Sequence, residues 1–270
     1  MNLDQVMVPA AVLSGSTRHI LICLLGPFLV LKCGRPLVVR SGGKTEALLC
    51  QLALRAGRSI RRDTLLHTVW PDADDVTLAS QALDSRICGV QKLLGDRTSH
   101  STPILHAHGC YRLNVEERVQ VDVASFDALT TQGDRQAHEG ALTAALASYR
   151  QALALYRGDL CVDTDVYAVS ERERLRGRYL TLLARLADYH YGAGEYAESQ
   201  RYAQGLLAHD PCREDAHRLV MRCCVRSGER AQALRQYRLC VDILRSEFDA
   251  LPEPATVALF DQVRRDPGSV

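Results

Sequence analysis

Two segments in the second half of the chain repeat one another at a spacing of 34 residues. Gly194-Glu-Tyr-Ala-Glu-Ser199 and Gly228-Glu-Arg-Ala-Gln-Ala233 open matching blocks, in which Ala203 answers Tyr237 and Leu206 answers Cys240. A glycine turn followed at fixed offsets by small and large apolar residues is the pattern of a two-helix unit, and a period of 34 stacks such units side by side. Pro211 stands where one unit closes. An earlier copy begins at Gly140 and continues through Ala145, Tyr149 and Ala152, 54 residues before Gly194. The 20 residues by which this interval exceeds the period are expected in an Asp-rich loop around Gly158 to Val169. One unit cannot bury its apolar face alone, so the repeats must share a continuous core and leave a concave surface. Such a surface takes a peptide, a partner domain or a second copy of itself. No paired carboxylates and no Ser/Cys–His arrangement stand out, which argues against an enzyme.

The first half follows another pattern. Val76 to Gly95 reads as one amphipathic helix, with Leu83, Ile87, Val90 and Leu94 on its apolar stripe. Gln81, Asp84, Ser85, Cys88, Gln91 and Lys92 point the other way, and Arg86 lies on the flank. Asp75 or Thr77 suits the helix start, and Gly95 suits the C′ position at its end. A helix from Arg61 to Trp70, stopped by Pro71, precedes it. Leu65, Leu66 and Val69 face inwards, with Trp70 as a core plug. The loop Asp72-Ala-Asp-Asp75 between the two helices reads as a solvated linker or a partner-facing surface. After the long helix comes a hairpin, Ile104 to Leu113, turning at His108-Gly109. Helix, turn, helix and β-wing is the order of a winged helix, whose second helix enters a DNA major groove.

Composition agrees with two soluble domains. The chain has 270 residues, 47% hydrophobic and 24% charged, with a net charge of +1. Residues 1–120 carry a net +4 and the remainder −3, so DNA contact is expected only in the first half. Residues 1–18 read as irregular. His19 to Leu31 imitates a signal h-region, but it is too short to span a bilayer and Gly26-Pro27 interrupts it. A small sheet fits better, with Gly34-Arg35-Pro36 turning between Phe28–Lys32 and Leu37–Val39. No membrane association is expected. The ten cysteines include no C-x-x-C pair. Cys23, Cys50, Cys88, Cys223, Cys224 and Cys240 fall in apolar segments as small hydrophobes, with Cys223 and Cys224 projecting to different faces. His106, His108 and Cys110 lack a fourth ligand at zinc spacing, so no metal is expected and the thiols read as reduced and cytosolic.

Ser41-Gly-Gly-Lys-Thr45 imitates the end of a phosphate-binding loop. That loop needs a glycine where Val38 stands, so nucleotide binding is not supported and no cofactor is expected. Lys44 and Thr45 instead open an apolar helix, where backbone N–H groups could meet a DNA phosphate. The expected DNA contacts are therefore Lys44 and Thr45, then Gln81, Ser85, Arg86, Cys88, Gln91 and Lys92 on the reader helix, and His108 and Arg112 on the wing. Glutamine can bond adenine, arginine can read guanine, and lysine holds phosphate.

Several of these stretches resemble a known family. Leu24-Leu-Gly-Pro-Phe28, Lys44 with the helix after it, Leu66 to Asp72, and Cys110-Tyr-Arg-Leu113 look like the OmpR/PhoB-type winged helix of Streptomyces antibiotic regulatory proteins. Val121-Asp-Val-Ala-Ser-Phe126, Ala152-Leu-Ala-Leu-Tyr-Arg-Gly158 and Ser227 to Tyr237 are similar to landmarks of the bacterial transcriptional activator domain that follows it. The resemblance covers about residues 20 to 265. It implies a mainly α fold with a small β component: an irregular segment at 1–18, a winged helix-turn-helix domain at 19–116 and an all-α tetratricopeptide-like domain at 120–266. It further implies a cytoplasmic activator that binds double-stranded DNA as a homodimer on direct repeats. Such a protein recruits RNA polymerase holoenzyme, often for a biosynthetic gene cluster. The chain departs from the family at Cys88, Gly89 and Gln91, where related helices often carry basic residues. Cys110 also separates Gly109 from Tyr111. These departures carry a second reading, a helical-repeat interaction protein whose winged helix no longer binds DNA.

Overall fold

The computed structural model describes residues 20–95, 102–162 and 165–270, and the segment expected to be irregular, 1–18, lies outside them. It is mainly helical with a small β component at the front and helical repeats behind, as the sequence implies. The packing divides the chain into two compact units, Met1–Arg176 and Gly177–Val270.

In the first unit, β1 (Ile20–Cys23), β2 (Leu29–Lys32) and β3 (Arg35–Leu37) form an antiparallel meander. A distant strand, β7 (Val119–Val121), joins β1 in parallel, giving the order β3-β2-β1-β7. Ile20 and Ile22 are fully buried, which accounts for the continuous apolar run that imitates a signal sequence. The β2–β3 turn sits one residue or two earlier than expected, at Cys33-Gly34, because both take positive φ (50° and 76°) and so make the tight turn themselves.

Helix α1 (Lys44–Leu54) follows, then the two-residue strand β4 (Ile60–Arg61) and helix α2 (Arg62–Val69). The expectation of a helix beginning at Arg61 is corrected here, since Ile60-Arg61 pairs with the wing. Helix α3 (Val76–Leu94) is the long amphipathic helix, and Ala79, Leu83, Ile87, Val90 and Leu94 are its buried stripe. Asp75 caps it, its carboxylate accepting from the N–H groups of Thr77 (2.7 Å) and Leu78 (3.1 Å), a cap worth about 1 kcal/mol. At the other end Gly95 does not adopt the expected left-handed geometry, with φ −67° and ψ 158°. Its need is steric: a Cβ there would stand 2.5 Å from the Gln91 carbonyl oxygen. Strands β5 (Ile104–Ala107) and β6 (Cys110–Leu113) make the wing, in the sheet order β4-β6-β5. Its turn is at His108-Gly109, as expected, with φ of 50° and 69°.

Helices α4 (Asp122–His138) and α5 (Leu142–Leu155) pack as a pair in the same unit. Helix α6 (Val166–Gly192) then runs 27 residues, and the boundary between the units falls within it. The added length before Gly194 is therefore mostly helix, and residues 166–169, expected in the loop, belong to that helix.

In the second unit, α7 (Tyr196–His209) packs on α8 (Glu214–Arg226), α8 on α9 (Arg230–Phe248), and α9 on α10 (Pro254–Arg265). The repeat is visible in the backbone itself. Gly194 and Gly228 have φ of 78° and 77°, and each is followed by the same bond: Glu195 N–H to His190 O (2.8 Å) and Glu229 N–H to Cys224 O (2.7 Å). The earlier copy repeats it, with Gly140 at φ 80° and Ala141 N–H bonded to Gln136 O at 2.8 Å. Ala203, Leu206 and Cys240 are buried at their matching positions, while Tyr237 is half-buried and stacks on Phe260 with centroids 4.0 Å apart. Cys23, Cys50, Cys223, Cys224 and Cys240 are buried as expected of small hydrophobes, but Cys88 is exposed. Both members of the Cys223-Cys224 pair are buried, so they do not divide between a core and a solvent face.

Candidate nucleic-acid interface

Helix α3 presents an exposed polar face. Gln81, Asp84, Ser85, Arg86, Cys88, Gly89 and Lys92 are exposed along three turns of α3, opposite the buried stripe. The wing tip is exposed at His108, and Arg112 on β6 is partly exposed and paired with Glu116 at 3.4 Å.

Two of the expected contacts are committed within the protein. Gln91 is half-buried, and its Nε2 donates to the Ile104 carbonyl of the wing (3.2 Å). Lys44 donates from Nζ to the Val69 carbonyl at 2.7 Å, one of the acceptors left open at the C-terminus of α2. Its ammonium also stands 5.9 Å from the centre of the Trp70 ring. Trp70 is half-buried under it rather than a core plug. Thr45 is half-buried in the first turn of α1. His106, grouped with His108 and Cys110 as a zinc pattern, stacks on the Tyr111 ring instead, with centroids 4.4 Å apart and an interplanar angle of 18°.

Sequence reasoning missed Arg62. Its guanidinium forms a bidentate pair with Asp84, Nη1 to Oδ1 at 2.6 Å and Nη2 to Oδ2 at 2.8 Å. Nη1 also donates to the Tyr111 hydroxyl (2.7 Å), and Nη2 to the Ser80 carbonyl (2.9 Å) and hydroxyl (2.8 Å). The guanidinium holds the Asp84 carboxyl below the usual carboxylate range, while burial pushes the Tyr111 hydroxyl up. The signal was present in the sequence: a carboxylate amid the polar face of a helix expected to meet phosphates needs a cation.

Elsewhere in the same unit, three of the motifs that carried the family resemblance meet at one place. The N–H groups of Leu24 and Leu25 donate to the buried carboxylate of Asp122, the first residue of α4. Gly26 N–H donates to Asp159 O (3.0 Å) and Cys161 N–H to Leu24 O (2.9 Å), so Leu24–Gly26 pairs with the chain after α5. A Cβ on Gly26 would lie 3.0 Å from the Arg157 backbone, which leaves room only for glycine.

A family model described as the bacterial transcriptional activator domain matches residues 121–264. The chain belongs to that family, in its Streptomyces antibiotic regulatory form. Regulatory protein DnrI of Streptomyces peucetius is 29% identical over 258 residues, covering 92% of this chain and 93% of the relative. Regulatory protein AfsR of Streptomyces griseus is 26% identical over 90% of this chain, which spans only 24% of that longer protein. A solved structure of Mycobacterium tuberculosis EmbR superposes with a TM-score of 0.72 at 23% identity, covering 92% of this chain and 65% of EmbR. That likeness is one of fold. Among the described residues no helix is long and apolar enough to cross a membrane.

Proposed function

We propose that this regulator is a cytoplasmic transcriptional activator that binds double-stranded DNA through α3 and the wing. The observation that carries the reading is the exposed face of α3 from Gln81 to Lys92, together with an exposed wing tip at His108. Gln81 and Arg86 are the side chains suited to base edges, and Lys92 and Arg112 to phosphates. Thr45 and the open amides of the first turn of α1 supply a further phosphate site. Family membership supports the rest: a homodimer on direct repeats that recruits RNA polymerase holoenzyme, for a biosynthetic gene cluster.

The test is binding to the promoter DNA beside its own gene, titrated with salt, for the wild type and an Arg86→Ala/Lys92→Ala double variant. A salt-dependent complex on one fragment, lost or despecified in the variant, is the expected result. Absence of a specific complex at low salt, with the protein folded, overturns it.

One observation favours a second reading. Cys88 and Gly89 leave the exposed face uncharged between Arg86 and Lys92, and Lys44 is occupied within the protein. The chain would then be a helical-repeat interaction protein whose winged helix serves as a docking module, and the same titration separates the two.

A further inference from the structure

Asp84 lies in the middle of the exposed face of α3, one residue before Ser85, with its side chain 60% exposed. A bare carboxylate there would be repelled by phosphates. Arg62 covers it with both arms, and the four terminal hydrogens of the guanidinium are directed at Asp84, Tyr111 and Ser80. The same residue acts through its backbone as well, since Arg62 N–H donates to the carbonyl of Gly109 at the wing tip (3.0 Å). Its neighbour Arg61 pairs with Cys110, and Ile60 with Tyr111. One residue thus joins the start of α2, two successive turns of α3, the middle of β6 and the wing turn.

We propose that Arg62 is a positioning residue: it sets the wing against the reader helix, so that both address one DNA duplex in a fixed spacing, and does not itself touch DNA. The inference rests on the DNA-binding reading given above. Base contacts tolerate about 0.5 Å of misplacement, so a wing free to shift against α3 costs specificity before it costs charge-driven binding. A lysine cannot replace the arginine, because one ammonium cannot present two parallel donors to a carboxylate while reaching a phenol and a carbonyl.

The test uses the full chain. Duplexes are enriched by the wild type from a random-sequence pool, and wild type, Arg62→Met, Arg62→Lys and Arg62→Met/Asp84→Asn are titrated on an enriched duplex and on its scrambled counterpart. Arg62→Met should bind the enriched duplex at least about tenfold more weakly and the scrambled one less than about threefold more weakly. Arg62→Lys should fall nearly as far, and it takes the place of the methionine variant if that one does not fold. The double variant should not recover. Recovery in the double variant would mean that Arg62 only neutralises Asp84, and an equal loss on both duplexes would mean a merely structural role. Either result overturns the proposal. Hydrogen exchange gives a reading independent of DNA: amides of residues 104–113 should exchange faster in Arg62→Met, and unchanged exchange overturns the proposal. If the wild type enriches no sequence, it is the DNA-binding reading that fails, and the exchange result still decides whether Arg62 holds the wing.

Discussion

The carboxylate of Asp122 accepts the backbone N–H of Leu24 on both oxygens, at 2.8 and 2.9 Å, across 98 residues of sequence. It also takes the N–H of Leu25 (2.9 Å) and of Val123 (2.8 Å), and Arg157 stands 3.9 Å away. The end of β1 has no strand partner for these amides, so the first residue of α4 serves instead. Asp122→Ala would leave buried donors with no acceptor. A loss of about 2 kcal/mol or more at pH 7 is expected, read as a lower urea midpoint. A midpoint unchanged from the wild type would show that water takes over the amides.

The same carboxyl makes stability depend on pH. Burial raises its pKa from 3.8 to about 6, against the opposing pull of the backbone N–H groups and Arg157. The folded state therefore keeps the proton up to about pH 6, while the unfolded chain releases it near pH 4. Between those values the folded state binds more protons, so this stabilising contribution is full below about pH 4 and is lost as pH rises through about 6. The total is about 3 kcal/mol. Comparison with Asp122→Ala, which cannot titrate there, isolates it. The stability gap between wild type and variant should be widest at pH 4 and narrow towards pH 7.

Periodic features were legible in the sequence. The stripe of α3, the wing turn at His108-Gly109 and the glycine turns at 194 and 228 each rest on neighbours close in sequence. The knot around Asp122 was not legible as a contact, because nothing local says that the amides of Leu24 and Leu25 lack a strand acceptor or that Asp122 supplies one. Its motifs marked the family without revealing that they touch. Within the candidate interface, helical periodicity turned Gln91 outward and the Ser41–Thr45 motif set Lys44 at a helix start, but their long side chains reach back to carbonyls at Ile104 and Val69. Side-chain reach of this kind depends on tertiary neighbours that periodicity does not describe.

Two glycines inside helices give opposite expectations. A Cβ on Gly133 in α4 would lie 2.4 Å from Cε1 of Tyr149, a buried ring whose hydroxyl is held by Asp134 at 2.9 Å. Gly133→Ala should therefore destabilise by about 1–3 kcal/mol, despite the better helix propensity of alanine. A Cβ on Gly89 in α3 would meet open space, and Gly89→Ala should stabilise by up to about 1 kcal/mol. An unchanged or raised urea midpoint for Gly133→Ala would contradict the packing around Tyr149.

Lys44 and Lys92 were expected to share one role and are separated by the structure. Lys44 satisfies an open carbonyl at the end of α2 and stands over Trp70, so it stabilises the helix terminus where a cation is favourable. Lys92 lies exposed in the last turn of α3, beyond the buried stripe. Lys44→Ala should lower stability by about 1 kcal/mol and leave the salt dependence of DNA binding unchanged. Lys92→Ala should leave stability within about 0.5 kcal/mol of the wild type and reduce the salt slope by about one ion. Titrations of both variants against one duplex at several salt concentrations, beside their thermal melts, read out all four quantities. A reduced slope for Lys44→Ala would mean that its ammonium leaves Val69 for a phosphate when DNA is present, and the carbonyl at the end of α2 would then have to find water.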